Sequence, residues 1–122
     1  MQDRTVTLPT RDAGDVTLPE PAWCAGHPQP RPEYEADLTH YGPEQPLAFG
    51  DEQLYTVVLA QNPRALIAPR VTRVYVEQTS WAANLDPAGL DDLAAAMVEH
   101  AAILRSWARV LASVLAKEGE RS

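Results

Sequence analysis

The sequence predicts an α+β fold: a small antiparallel β-sheet in the first two-thirds of the chain, followed by one long C-terminal α-helix. Three observations predict it. Eight of the 11 prolines precede Leu47, which excludes a mostly helical N-terminal part, because proline lacks the amide donor and clashes inside helices. Short β-branched runs punctuated by turn residues recur as far as Glu77. Beyond Pro87 there is no further proline, and alanine and leucine dominate. The 122 residues have the size of one domain, and a hydrophobic content of 45% is enough to build a core. Its expected organisation is a single domain over 1–122, β-rich over 1–83 with a proline loop at 28–32, and helical over 86–118.

The first strands are marked by an echo. Thr5-Val6-Thr7-Leu8-Pro9 recurs as Asp15-Val16-Thr17-Leu18-Pro19. Both runs are β-branched and close on proline, which suits strand edges and ends. The intervening Thr10-Arg11-Asp12-Ala13-Gly14 is turn-prone, so the pair reads as a β-hairpin. Pro28, Pro30 and Pro32 alternate and favour an extended, exposed loop. Ala36–Pro43 begins as a strand and ends in a turn. Leu54–Ala60 is the best strand in the chain, Asn62-Pro63 signals a turn, Ala65–Ala68 is a short apolar run, and Val71–Glu77 is a second strong strand. An antiparallel sheet of about four to six strands follows from these segments.

Asp86-Pro87 marks the helix start, with aspartate at the N-cap and proline at the first helical position. Gly119 supplies a stop and Lys117 complements the last turn. A helix from about Pro87 to about Glu118 is about 45 Å long, more than the roughly 30–35 Å expected across a compact domain of this size. Its apolar residues fall into adjoining rows. Leu90, Met97, Leu104 and Leu111 recur every seven residues, with Ala94, Ala101, Ala108 and Leu115 in the complementary row. Leu93, His100, Trp107 and Val114 form a flanking row. This apolar surface is wider than the stripe one sheet needs. The expectation is therefore two buried faces, one on the sheet and one on a partner helix, with Leu90, Met97, Leu104, Trp107, Ala108, Leu111 and Leu115 in a homodimer interface. His100 is expected to pack rather than to ligate.

One cluster is chemically suggestive. Cys24-Ala25-Gly26-His27 is a C-x-x-H pair, and Asp37-Leu38-Thr39-His40 is a D-x-x-H pair after a loop. Two ligand pairs joined by a loop are how small structural zinc sites are assembled. Cys24, His27 and His40 are the expected donors, and the fourth position falls to Asp37, Glu20, a water or nothing. The plainer alternative is a buried apolar Cys24 with two surface histidines. Cys24 is the only cysteine, so an intramolecular disulfide is excluded.

The stretch from Thr5 to about Pro46, and more loosely the whole chain, resembles an uncharacterised actinobacterial family of small domains of unknown function. The matching residues are Pro21, Trp23, Cys24, His27, His40 and Gly42-Pro43-Glu44, in a P-x-W-C-x-x-H…H pattern. Glu20 stands where the family usually has a first cysteine, and the gap between Cys24 and His27 is one residue short. The resemblance implies a metal site and a similar fold, and no activity.

Other classes are disfavoured. The net charge is −7 and all of it falls before Gln53, which repels phosphate backbones. Arg64, Arg70 and Arg73 form the only basic cluster, and a zinc-containing nucleic-acid-binding regulator using them is the alternative reading; salt bridges to the acidic N-terminal region are the plainer one. A Cys24 nucleophile lacks an oxyanion hole, and no phosphate loop, dinucleotide fingerprint or zincin motif occurs. No apolar region follows Met1-Gln2-Asp3-Arg4-Thr5, and no stretch reaches the roughly 18 apolar residues of a membrane span. The expected protein is a cytoplasmic, non-enzymatic interaction or regulatory module. It self-associates through its helix, carries a structural zinc and has an unknown protein partner.

Overall fold

The computed structural model describes residues 4–121, and its element order is that of an α+β chain. In sequence it runs β1 (Arg4–Pro9), β2 (Asp15–Glu20), a 3₁₀ turn (Glu35–Asp37), β3 (His40–Tyr41), β4 (Gln45–Phe49), β5 (Glu52–Gln61), β6 (Arg73–Gln78) and α1 (Pro87–Arg121). The chain divides into two compact units. The first holds the residues up to Pro43 together with Leu59–Arg73, and the second holds Glu44–Val58 and the residues from Val74 onward.

In the first unit, β1 and β2 form the hairpin that the sequence echo predicts. Their antiparallel register runs from Arg4 opposite Glu20 to Pro9 opposite Asp15. Strand alternation turns Leu8 and Leu18 inward, where they are buried with Leu38, and Val6 and Val16 pack against them. The outward face carries a Thr7–Thr17 hydroxyl pair at 2.7 Å. Gly14 closes the loop at a φ of 66°, a conformation that favours glycine. The Thr10 amide and hydroxyl both donate to its carbonyl, at 2.9 and 2.6 Å. β3 is shorter than expected: the 3₁₀ turn takes Glu35–Asp37, and only His40 and Tyr41 pair with Gln61 and Ala60 of β5.

The second unit contains a strand the sequence reading did not predict. β4 carries Pro46, which argues against a central strand, yet β4 lies at the end of the order β3-β5-β4, where proline is tolerated. Gly50 and Asp51 join it to β5 in a two-residue turn, with Phe49 opposite Glu52 and Gly50 at a φ of 60°. β6 also pairs with β5.

The start of α1 is as expected: the Gly89 amide donates to the Asp86 carboxylate at 2.8 Å. Its end is not. The helix continues through Gly119 to Arg121; Gly119 does not take the positive φ by which a glycine ends a helix.

The row of α1 that turns toward β4 is Leu93, Ala96, His100, Ile103 and Trp107, all buried or half-buried. His100 Nε2 donates to the Ala48 carbonyl at 2.9 Å. Trp107 Nε1 donates to Gln45 Oε1 at 2.7 Å. Trp107, expected in an interface between copies, is thus held within its own chain. Leu90, Met97 and Leu104 remain 56%, 40% and 42% exposed. Ala94, Ala101 and Ala108 are exposed too, while Leu111 and Leu115 are half-buried.

Candidate metal centre

The first unit brings Cys24, His27 and His40 together. Cys24 sits at the end of a turn in which its amide donates to the Pro21 carbonyl at 3.0 Å. The next amide, Ala25, donates to Tyr41 O of β3 at 2.8 Å. Gly26 then reverses the chain at a φ of 96°, a conformation that favours glycine, and its amide points at Cys24 Sγ, 3.4 Å away. The reversal returns His27 to Cys24. His40 is fixed by the β3–β5 pairing, and Gly42 behind it packs so close that a Cβ there would lie 3.2 Å from the Trp23 carbonyl oxygen.

The donor atoms are spaced as a tetrahedral ion requires. Cys24 Sγ lies 3.6 Å from His27 Nε2 and 3.7 Å from His40 Nδ1, and the two nitrogens are 3.2 Å apart. Tetrahedral zinc with about 2.3 Å to sulfur and about 2.0–2.1 Å to nitrogen sets S···N edges of about 3.5 Å and an N···N edge of about 3.4 Å. All three donors lie within 4.8 Å of one another. Cys24 and His40 are buried and His27 is half-buried.

Electrostatics favour ligand-competent forms. Burial holds the His40 imidazole below its ordinary value of 6.5, and the neighbouring His27 acts in the same direction; Glu20 and the Pro19 carbonyl oppose them. The outcome is a neutral ring, the form that binds a metal. His40 Nε2, on the far side of the ring, is buried and makes no hydrogen bond of good geometry. The amide of Gly26 meanwhile offers the Cys24 sulfur a hydrogen-bond donor.

Of the two expected fourth ligands, Glu20 is the nearer to the group. Its Oε2 is 3.9 Å from His27 Nε2, and its Oε1 is 3.4 Å from the Arg4 guanidinium. Neither Glu20 nor Asp37 belongs to the group of mutually close donors, and Asp37 is exposed on the 3₁₀ turn. It lines an open cleft with His27, Arg31, Glu33, Thr39 and Tyr41. The sequence reading did not connect Arg4 to this site. The hairpin echo carries that signal, since equal runs about a five-residue loop place residue 4 opposite residue 20.

The basic cluster is engaged locally. Arg64 pairs with Glu35 at 3.7 Å. Arg70 Nε donates to the Ala65 carbonyl at 2.8 Å, and Arg73 donates to the Thr72 carbonyl at 3.0 Å. Among the described residues, no helix is long and apolar enough to cross a membrane.

No curated protein and no solved structure matches this chain. A family model does, over residues 5–113; its description is a domain of unknown function, DUF6907.

Proposed function

We propose, from the premise that this chain belongs to the DUF6907 family, that it is a non-enzymatic interaction module in which a zinc ion fixes the loops after β2 and α1 joins two copies. Cys24, His27 and His40 hold the ion, and Glu20 stands nearest its fourth position. One observation carries this reading: the three donor–donor distances of 3.6, 3.7 and 3.2 Å, which reproduce the edges of a zinc tetrahedron. The ion would have a structural task here. Residues 21–34 form no strand or α-helix of their own, and a metal that binds only the folded arrangement adds its binding free energy to folding. Self-association draws on the exposed Leu90, Met97 and Leu104 row, a face whose burial against a second copy removes apolar surface from water. A thiolate ligand persists best in a reducing compartment, so we place the module in the cytoplasm.

Native mass spectrometry of protein purified without added metal or chelator tests both halves of the reading in one spectrum. The expected species is a dimer with one zinc per chain, and Cys24→Ser or His40→Ala should strip the zinc mass. A metal-free wild-type protein that also fails to take up added zinc removes the staple. A monomer at every concentration removes the pairing.

A further inference from the structure

α1 has an order of charge along its length and its exposed row an order of size, and both select one way of pairing. From Asp86 to Glu99 the helix region carries Asp86, Asp91, Asp92 and Glu99 and no Lys or Arg; from His100 to Arg121 it carries Arg105, Arg109, Lys117 and Arg121 against Glu118 and Glu120, a net positive half. A parallel pair sets acid beside acid and base beside base along its length. An antiparallel pair sets the acidic half of one copy beside the basic half of the other, and opposes the two helix dipoles.

The side-chain sizes give the same direction. The row reads Leu90, Ala94, Met97, Ala101, Leu104, Ala108, Leu111 and Leu115. Of these, Leu90, Met97 and Leu104 are the large exposed residues, the three alanines are exposed, and Leu111 and Leu115 close the row half-buried. Antiparallel about a point between Ala101 and Leu104, Ala94 faces Leu111, Met97 faces Ala108, Ala101 faces Leu104, and Leu90 faces Leu115. Every alanine then meets a large side chain, so the layers interdigitate at interior density. In a parallel, in-register pair each alanine meets its own copy, and layers of small contacts alternate with layers of large ones. His100 and Trp107 are already engaged with Ala48 and Gln45, so the β4 face does not compete for this row.

We infer that α1 docks on α1 of a second copy of this chain, antiparallel, with the two-fold axis beside Ala101 and Leu104. The inference rests on the self-association proposed above and adds its geometry.

Spin-labelling the full chain at Ala88→Cys, an exposed position away from the row, tests the geometry by pulsed dipolar spectroscopy. Cys24 is buried, and unsubstituted protein taken through the same labelling gives the background. At about 1.5 Å per residue, the antiparallel pair separates the two labels by more than about 40 Å, whereas a parallel pair holds them within about 30 Å. The long distance supports the inference. A dimer with the short distance overturns the antiparallel arrangement and leaves self-association standing. A monomer by light scattering overturns both. A charge test adds a second readout. Arg105→Glu with Arg109→Glu should weaken self-association tenfold or more at low salt, and mixing that variant with Asp92→Lys/Glu99→Lys protein, the acids nearest to Arg109 and Arg105 in this register, should restore pairing as a heterodimer. Failure of the mixture to pair overturns the antiparallel charge register.

Discussion

At the residue scale, the site is decided by charge as much as by distance. Zinc with one thiolate and two neutral imidazoles keeps one positive charge, next to a Cys24 and a His40 that are both buried. An unbalanced charge in such a place is costly. Glu20 is the nearest carboxylate, 3.9 Å from His27 Nε2, and only 12% of its side chain is exposed. Glu20→Gln keeps the shape and removes the charge. The expected result is zinc binding weaker by roughly 10–100-fold, the usual loss when a supporting carboxylate is removed, measured by competition with a chromophoric chelator. Asp37→Asn should leave affinity unchanged, because Asp37 is exposed on the 3₁₀ turn. Equal losses in the two variants would mean that the charge of the region matters rather than the position of Glu20. Acid gives a second readout. His40 is held below 6.5 in the folded protein, so the folded state prefers the neutral ring. That contribution to stability is fully present above the unfolded value of 6.5 and is lost as pH falls through the lower folded value. Because the same protons compete for the ligand nitrogens, zinc should be retained at pH 7 and released as the solution is acidified below 6.5. Zinc release on raising the pH from 7 to 8 would contradict this sign.

At the element scale, what the sequence predicts is what short-range chemistry decides. The hairpin follows from two like strands about a turn, and the helix start follows from Asp86-Pro87, whose carboxylate caps the Gly89 amide. Cys24 and His27 pair through a glycine reversal that is local as well. The rest depends on partners far away in sequence. Pro46 hides β4, which survives because it lies at the end of the sheet order. That Glu20 comes to lie beside His27 depends on where strand ends meet. The inward face of α1 is undecided by periodicity, since three adjoining rows are apolar; it is settled where His100 and Trp107 find acceptors on β4. Trp107→Phe tests that assignment. It keeps the ring and removes the donor to Gln45, and should lower folding stability by about 1 kcal/mol, the usual net contribution of one hydrogen bond, in urea unfolding of the metal-loaded protein. Its dimer dissociation constant should match wild type. A large change in dissociation with unaltered unfolding would return Trp107 to the interface.

At the scale of the whole molecule, the candidate metal site and the face proposed to pair lie in different units. Cys24, His27 and His40 belong to the first, whereas α1 and β4 belong to the second. Each would be held by a different interaction: a few directional bonds to an ion in one, and a long apolar face in the other. Local stability should therefore respond unequally to chelation. A ligand at one hundred times its dissociation constant stabilises what it binds by about 2.7 kcal/mol, roughly a hundredfold in an opening equilibrium. Hydrogen exchange read by mass spectrometry, with and without a chelator, measures this directly. Removal of zinc should speed exchange by up to about a hundredfold at the amides of Cys24, Ala25 and Gly42, which are tied to Pro21, Tyr41 and Leu59. The middle of α1, from Ala96 to Trp107, should exchange at an unchanged rate, because its hydrogen bonds are intrahelical and its buried row rests on β4. Uniform acceleration of both segments would mean that the molecule opens as one cooperative body and that the ion stabilises the whole of it. Acceleration confined to the loops would identify the metal as a local clasp, with the pairing helix independent of it.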